Sequence, residues 1–402
     1  MGLCAPLTPT CYPLAGITIV SMEQAVAAPF ATRQLADLGA RVIKVERPGF
    51  GDFARAYDET VHGQSSYFVW LNRSKESLTL DVKVDAGREI LEELLAHADV
   101  FIQNLAPGST ARLGLDAGSL EVRYPNLIVC DVSGYGNSGP WSDRKAYDML
   151  MQGETGLISF TGTPDAPSRV GISIADIAAG MYAYTGILTS LYRRATTGIA
   201  SRVEIAMLEA LGEWVAAPAY YTKYGGAEPR RVGSAHATIA PYGTFATADG
   251  ASIVLAVQNE REWNRFCEVV LGDASTAVVQ RFGTNAARVA HRDELETMIA
   301  DRIGRLDSTA ANKLLDDANI ANARLNTVKD FLEHPSLTAR ERWRQVASPA
   351  GEVDALLPPA GLSGTSARMG PIPALGEHTE GILSELGRDR AAVELLRAKG
   401  AI

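Results

Sequence analysis

The feature that most constrains the fold is a strand, a helix and a second strand compressed into residues 17–46. Ile17-Thr-Ile-Val-Ser-Met22 reads as a short apolar strand. Ala28-Pro-Phe-Ala-Thr-Arg-Gln-Leu-Ala-Asp-Leu38 reads as a helix, with Pro29 in its first turn and Gly39 as its stop. Arg41-Val-Ile-Lys-Val-Glu46 is the second strand. Strands joined through a helix run parallel, because the crossover returns the chain to the same end of the sheet. The pattern continues. Ile90, Leu91, Leu94 and Leu95 make the segment 83–98 an amphipathic helix, and Val100-Phe-Ile-Gln103 and Leu127-Ile-Val-Cys-Asp-Val132 are further buried strands. Residues 1–150 therefore predict an open α/β sheet, whose ligands bind beyond the carboxyl ends of its strands.

A chain of 402 residues has room for a second domain. From Gly233 the character changes. A hairpin turn at Asp249-Gly250 precedes Ser252-Ile-Val-Leu-Ala-Val257, and helical segments follow near 262–271, 292–306 and 310–318. The expected organisation is a large domain from 14–200, a small α+β domain from 225–330, and a linker and return from 331–402, with a last helix at 379–386. The net charge of −9 argues against nucleic-acid and membrane-surface partners, which require a basic face. Cys4, Cys11, Cys130 and Cys267 lack metal-site spacing. Cys4 and Cys11 lie in a Pro-rich leader, and Cys130 is expected to pack as a small hydrophobe. Without a signal-peptide pattern or an apolar run of spanning length, a cytoplasmic location is the default expectation.

Several motifs fail. Gly134-Tyr-Gly136-Asn-Ser-Gly139 matches the dinucleotide pattern, but Pro140-Trp-Ser-Asp follows where a helix is required. Walker A, Gly-x-Ser-x-Gly and His-Glu-x-x-His are all missing from the sequence. Asp176 is more informative. Val170, Ile172 and Ile174 alternate ahead of it, as in a half-buried strand, and a small-residue helix pattern runs from Ile177 to Tyr192. The segment Arg193–Gly198 then reads as a turn. A carboxylate at such a junction meets free backbone N–H groups and the positive end of the helix dipole. The plain reading is an N-cap; the sharper one is a nucleophile. Arg47, Lys83, Asn104 and Arg112 fall at successive strand ends, as a multiply phosphorylated anion requires. Lys145, Tyr147 and Asp148 add a cation, a phenol and a second carboxylate ahead of Asp176.

The chain resembles the class III CoA-transferases from Leu14 to about Gly387. The resemblance rests on pieces in family order: Leu38-Gly-Ala-Arg-Val-Ile-Lys-Val-Glu-Arg47-Pro-Gly, Asn72-Arg-Ser-Lys-Glu-Ser-Leu-Thr-Leu-Asp-Val-Lys83, Gln103-Asn104-Leu-Ala-Pro-Gly108, Ser133-Gly-Tyr-Gly136, Ala146-Tyr-Asp148, Ile174-Ala-Asp176-Ile-Ala-Ala-Gly180 and Gly376-Glu-His-Thr-Glu. It implies Asp176 as the catalytic aspartate. It implies CoA contacts at Arg47, Leu80, Lys83, Asn104, Leu105, Arg112 and Lys145. Ala25 and Val26 stand where formyl-CoA transferase has a Val-Gln pair, a departure that points away from formyl or oxalyl substrates. Gly233-Ser-Ala-His236 stands at the position of that enzyme's glycine-rich flap but is poorer in glycine. The implied fold is a Rossmann-like large domain formed by both chain ends with a smaller α+β middle domain, in an interlocked homodimer. The implied substrates are an acyl-CoA and a carboxylic acid, with no tightly bound cofactor and no metal.

Two alternatives remain at this point. An α-methylacyl-CoA racemase resembles the same family, but it places a His where this chain has Tyr147, whose ordinary pKa of roughly 10 makes it a weak base at neutral pH. A non-catalytic acyl-CoA-binding protein would leave Asp176 as an N-cap. The segment Ser234–Phe245 resembles that of transferases acting on short dicarboxylic acids. The expectation is therefore succinyl-CoA as donor and an itaconate-, mesaconate-, citramalate- or malate-type acceptor, its distal carboxylate held by His236 or Arg73.

Overall fold

The computed structural model describes residues 12–402. The leader bearing Cys4 and Cys11 lies outside them. The chain forms two compact units. The first comprises the chain up to Thr155 with Val170–Ala216 and Ala339–Ile402, and the second Gly156–Arg169 with Ala217–Thr338.

The first unit is built on a six-stranded sheet: β1 (Thr18–Met22), β2 (Arg41–Glu46), β3 (Lys75–Thr79), β4 (Val100–Gln103), β5 (Ile128–Ser133) and β6 (Val203–Ala206). The order is β3-β2-β1-β4-β5-β6, and every neighbouring pair is parallel. The carboxyl ends of all six strands thus share one edge. β1, β4 and β5 are mostly apolar, as strands covered on both faces are, whereas β2 and β3 carry buried charged residues. Ile90, Leu91, Leu94 and Leu95 of the helix Asp85–His97 pack with Val20, Ile43, Leu78 and Phe101 on one face. Cys130 is buried without a disulfide, and burial pushes its thiol pKa up.

The chain's last helices close on β3. The Thr79 amide donates to Thr379 Oγ1 at 3.0 Å and the Ser77 amide to His378 Nδ1 at 3.2 Å. The antiparallel hairpin β10 (Trp343–Ser348) and β11 (Gly351–Leu356) and the helix Arg390–Ala398 lie in the stretch read as linker and return. The second unit holds an antiparallel sheet of β7 (Tyr242–Ala246), β8 (Ser252–Ala256) and β9 (Ala321–Arg324). Its own core surrounds Trp263, Phe266 and Phe282.

Two expectations are corrected. The turn expected at Arg193–Gly198 is instead the last part of a helix, Ile174–Thr197, which stops at Gly198 with φ +76°. Thr196 and Thr197 satisfy local carbonyls with their hydroxyls, so polar composition does not break the helix. The helix expected over Met207–Tyr220 is two helices, Met207–Trp214 and Ala216–Gly225. Pro218 lacks an N–H and is accommodated in the first turn of the second. Among the described residues, no helix is long and apolar enough to cross a membrane.

Candidate active site

Asp176 lies in the first turn of the helix Ile174–Thr197, but it is not the cap. Ser173 holds the N-cap position and makes no side-chain cap bond. Asp148 does that work from another helix, Asp148–Glu154: its Oδ1 accepts the Ala175 amide at 2.7 Å and the Asp176 amide at 3.4 Å. Gln152 donates to Asp148 Oδ2 at 2.8 Å, and its own Oε1 accepts the Val170 amide at 2.8 Å. This fastening replaces the strand expected ahead of Asp176. Residues 170–173 form no strand, and Ile172 is exposed. Alternation of apolar residues misled there because no partner strand is present to reward it.

Asp176 is therefore free of capping duty. No hydrogen bond to its carboxylate is formed among the described residues. Burial, with the neighbouring Asp148 charge as a second cause, pushes its pKa up to about 7. Gly180, one turn along, shares its helix face. A Cβ at Gly180 would stand 2.6 Å from the Ala27 carbonyl oxygen and 3.1 Å from Phe30. Asp176 thus stands beside the start of the helix Ala27–Asp37. That start also lacks a side-chain cap, which leaves the Ala27 and Ala28 amides without a capping side chain; Pro29 has no N–H.

The turn before it is strained. Ala25 has φ +60°, a left-handed conformation that costs a residue with a Cβ about 1–2 kcal/mol. Its amide donates to Asp52 Oδ1 at 3.0 Å. Asn104 holds both sides of Gln24, accepting its amide at 2.8 Å and donating to its carbonyl at 2.9 Å. Tyr57 is a residue that the sequence reading missed. Burial, then the negative fields of Asp52 and Asp176, push its hydroxyl up to about 12. No periodicity marks Tyr57; the signal available was its place in the loop leaving the carboxyl end of β2.

The remaining residues named from sequence distribute along the same sheet edge. Arg47 follows β2, Leu80 and Lys83 follow β3, and Asn104 and Leu105 follow β4. Arg112 ends a short helix, and Lys145 lies in the loop after β5. Arg47, Lys83, Arg112 and Lys145 are exposed and have no ion-pair partner among the described residues. The Leu80 side chain is enclosed in the core, and its amide donates to the Glu46 carbonyl at 2.8 Å. Tyr147 is exposed at the N-cap of the Asp148 helix. Val26 is buried. His236 belongs to the second unit, where its ring stacks on Tyr242 with centroids 5.3 Å apart. Arg73 is corrected: it is buried and bidentate to Asp37 at 2.8 and 2.7 Å, so it is committed to structure and closed to substrate. The glycine loop at 134–139 leads into further loop, so the dinucleotide fingerprint is not formed. No His, Cys, Asp and Glu grouping suited to a metal ion occurs among the described residues.

The model of CoA-transferase family III matches residues 14–379. A succinate–glutarate CoA-transferase of Agrobacterium fabrum is 33% identical over 93% of this chain and 96% of its own length. A succinyl-CoA–D-citramalate CoA-transferase of Chloroflexus aurantiacus is 30% identical over 97% and 98%. The crystal structure of a CAIB/BAIF family protein from Brucella suis superposes with a TM-score of 0.81 at 34% identity, covering 93% of this chain and 99% of that one. With a family match over nearly its whole length and relatives matched end to end, the chain belongs to CoA-transferase family III and is an enzyme of that family.

Proposed function

We propose that the enzyme transfers CoA from succinyl-CoA to a short dicarboxylic acid through a covalent intermediate on Asp176. The observation that carries this reading is the state of Asp176: a basic carboxylate without hydrogen bonds, at a helix start capped by another residue. An unpartnered carboxylate keeps its lone pairs available, and a raised pKa makes it a stronger nucleophile once ionised.

Asp176 attacks the thioester carbonyl. The C–S bond breaks and CoA leaves as thiolate, giving a mixed anhydride. The thiolate attacks the aspartyl carbonyl, and the donor acid leaves as carboxylate. The acceptor carboxylate then attacks the aspartyl thioester, expelling thiolate. That thiolate takes the acceptor's acyl group and regenerates Asp176. Each step exchanges one anion for another, so no proton is transferred and no general base is required. The amides at the start of the helix Ala27–Asp37 are placed to stabilise the transient oxyanions. Arg47, Lys83, Arg112 and Lys145, with the Leu80 and Leu105 backbone, hold the CoA phosphates and adenine along the sheet edge. The dicarboxylate preference is supported by the substrates in the names of the relatives at about 30% identity. The working form is a homodimer, a reading supported by exposed Tyr192, Tyr220, Tyr221 and Tyr224; a light-scattering mass near one chain would overturn it.

A panel of acyl-CoA donors and acids, read by mass spectrometry for new CoA esters, tests the substrates. Transfer from succinyl-CoA to C4–C5 dicarboxylates is expected. Transfer confined to aromatic or carnitine-like acids would overturn the assignment.

The pH dependence follows from Asp176. The ionised form reacts, so kcat/KM should fall as pH drops below about 7. Asp148→Asn removes the neighbouring negative charge and should move that limb to lower pH. A limb that stays in place would show that another group controls it.

A further inference from the structure

Beneath the Ala25 turn lies a cluster of charged groups buried in the first unit. Glu23, Lys44 and Asp52 are fully enclosed, and Lys75 and Glu46 nearly so. Lys44 Nζ donates to Asp52 Oδ2 at 2.7 Å and to Glu23 Oε1 at 3.3 Å. Lys75 Nζ donates to the same Glu23 oxygen at 2.7 Å, to the Pro29 carbonyl at 3.1 Å and to Asn72 Oδ1 at 3.1 Å. Thr32 donates to Glu23 Oε2 at 2.7 Å. Glu46 accepts two bonds from Arg55 at 2.8 Å and one from the Asp52 amide at 2.9 Å. Three carboxylates face three cations, so the cluster is neutral and each member is paired. Burying so many charges is an expensive way to build a core, since apolar side chains of equal volume do as well or better. Such a cluster is better explained by what it holds in place.

Asp52 divides its two oxygens. Oδ2 takes the Lys44 ammonium. Oδ1 takes the amides of Ala25, at 3.0 Å, and Ala54, at 2.9 Å. Ala25 is the residue forced into the left-handed region, directly before the uncapped start of the helix whose Ala27 carbonyl lies against Gly180, one turn from Asp176. Strained backbone persists only where its surroundings over-determine it.

We propose that Asp52, locked by Lys44, is a positioning residue for the transfer reaction: it enforces the left-handed Ala25 turn and so keeps the amides of the following helix aimed at the Asp176 nucleophile. The inference rests on the reading of Asp176 given above. Asp52 touches no substrate. It acts through Ala25, and its effect is on turnover, because the cations along the sheet edge that bind CoA lie outside the cluster.

Asp52→Asn tests this directly. A carboxylate accepts on both oxygens, whereas an amide has one acceptor and cannot serve Lys44 and the Ala25 amide together. The variant should lose about tenfold in kcat while KM for acyl-CoA changes less than about twofold. Adding Ala25→Gly should restore most of the loss, because glycine takes positive φ without being held there. Unchanged kcat in Asp52→Asn, or no recovery on adding Ala25→Gly, overturns the proposal. Two variants that leave the cluster intact decide the matter if Asp52→Asn does not fold. Ala25→Asn and Ala25→Val add similar bulk, but Asn tolerates the left-handed region and Val does not. The Val variant should lose about tenfold more kcat than the Asn variant; equal activities would sink the proposal. Covalent labelling of Asp176 by radiolabelled succinyl-CoA in the native enzyme separates the two levels. Absence of label there defeats the reading of the nucleophile. Label there with indifferent Asp52 and Ala25 variants defeats only the positioning role.

Discussion

Asp176→Ala should reduce transfer by on the order of 10⁴-fold or more, the scale on which removing a covalent nucleophile acts. That corresponds to about 5 kcal/mol of lost transition-state stabilisation. No neighbour can substitute, because Asp148 has both oxygens engaged, with the Ala175 and Asp176 amides and with Gln152. Binding of CoA should be nearly unchanged, since the cations proposed to hold it lie at the strand ends. Isothermal titration with CoA alongside initial-rate assays measures both quantities. Turnover near the native rate would eliminate the covalent route. Stability should move the other way. A carboxylate with its pKa raised from 3.8 to about 7 in the folded state makes its full contribution to stability below pH 3.8 and loses it as pH rises through 7. Asp176→Asn should therefore raise the denaturation midpoint above pH 7 and have little effect near pH 4. Active-site groups commonly cost stability in this way.

Gly180→Ala should cost about 1–3 kcal/mol of stability and on the order of 100-fold in kcat. The added methyl would stand 2.6 Å from a backbone oxygen, Ala27 O, and 3.1 Å from the Phe30 ring and its Cβ. Backbone cannot rotate out of the way, so the two helices must separate. The one that moves carries Asp176, and the other begins at the Ala25 turn. Gly186→Ala on the same helix is the control. Its methyl would meet Val203 Cγ1 at 2.7 Å, a side-chain tip on a short edge strand that can shift. Urea unfolding and steady-state kinetics on both variants distinguish them. Equal losses would mean that the close approach at Ala27 has no special bearing on catalysis.

Much of the first unit was legible in the sequence because its strands and helices carry strong, uninterrupted patterns. The helix Asp85–His97 buries Ile90, Leu91, Leu94 and Leu95, as their spacing requires. β4 and β5 fall on the apolar runs that announce them. The β10–β11 hairpin was not legible. Its strands alternate weakly, and Trp343–Ser348 is held extended by pairing with Gly351–Leu356 and by the Ile372 amide, which donates to the Ala347 carbonyl at 2.8 Å. The apparent strand before Asp176 failed for the converse reason: apolar alternation was present and a partner was not.

Local sequence determined the parallel α/β sheet, the family and the place of Asp176 at a helix start, since periodicity and an ordered set of short motifs are properties of neighbouring residues. Tertiary structure alone decided which acid caps and which is left free. Asp148 and Asp176 are chemically identical side chains. Only the packing of one helix against the start of another gives the first the backbone amides and leaves the second, among the described residues, without a hydrogen bond to its carboxylate. The same holds for Arg73, a free cation in sequence and a buried clasp on Asp37 in the folded chain. Pairing between residues distant along the chain depends on distances that no local pattern encodes.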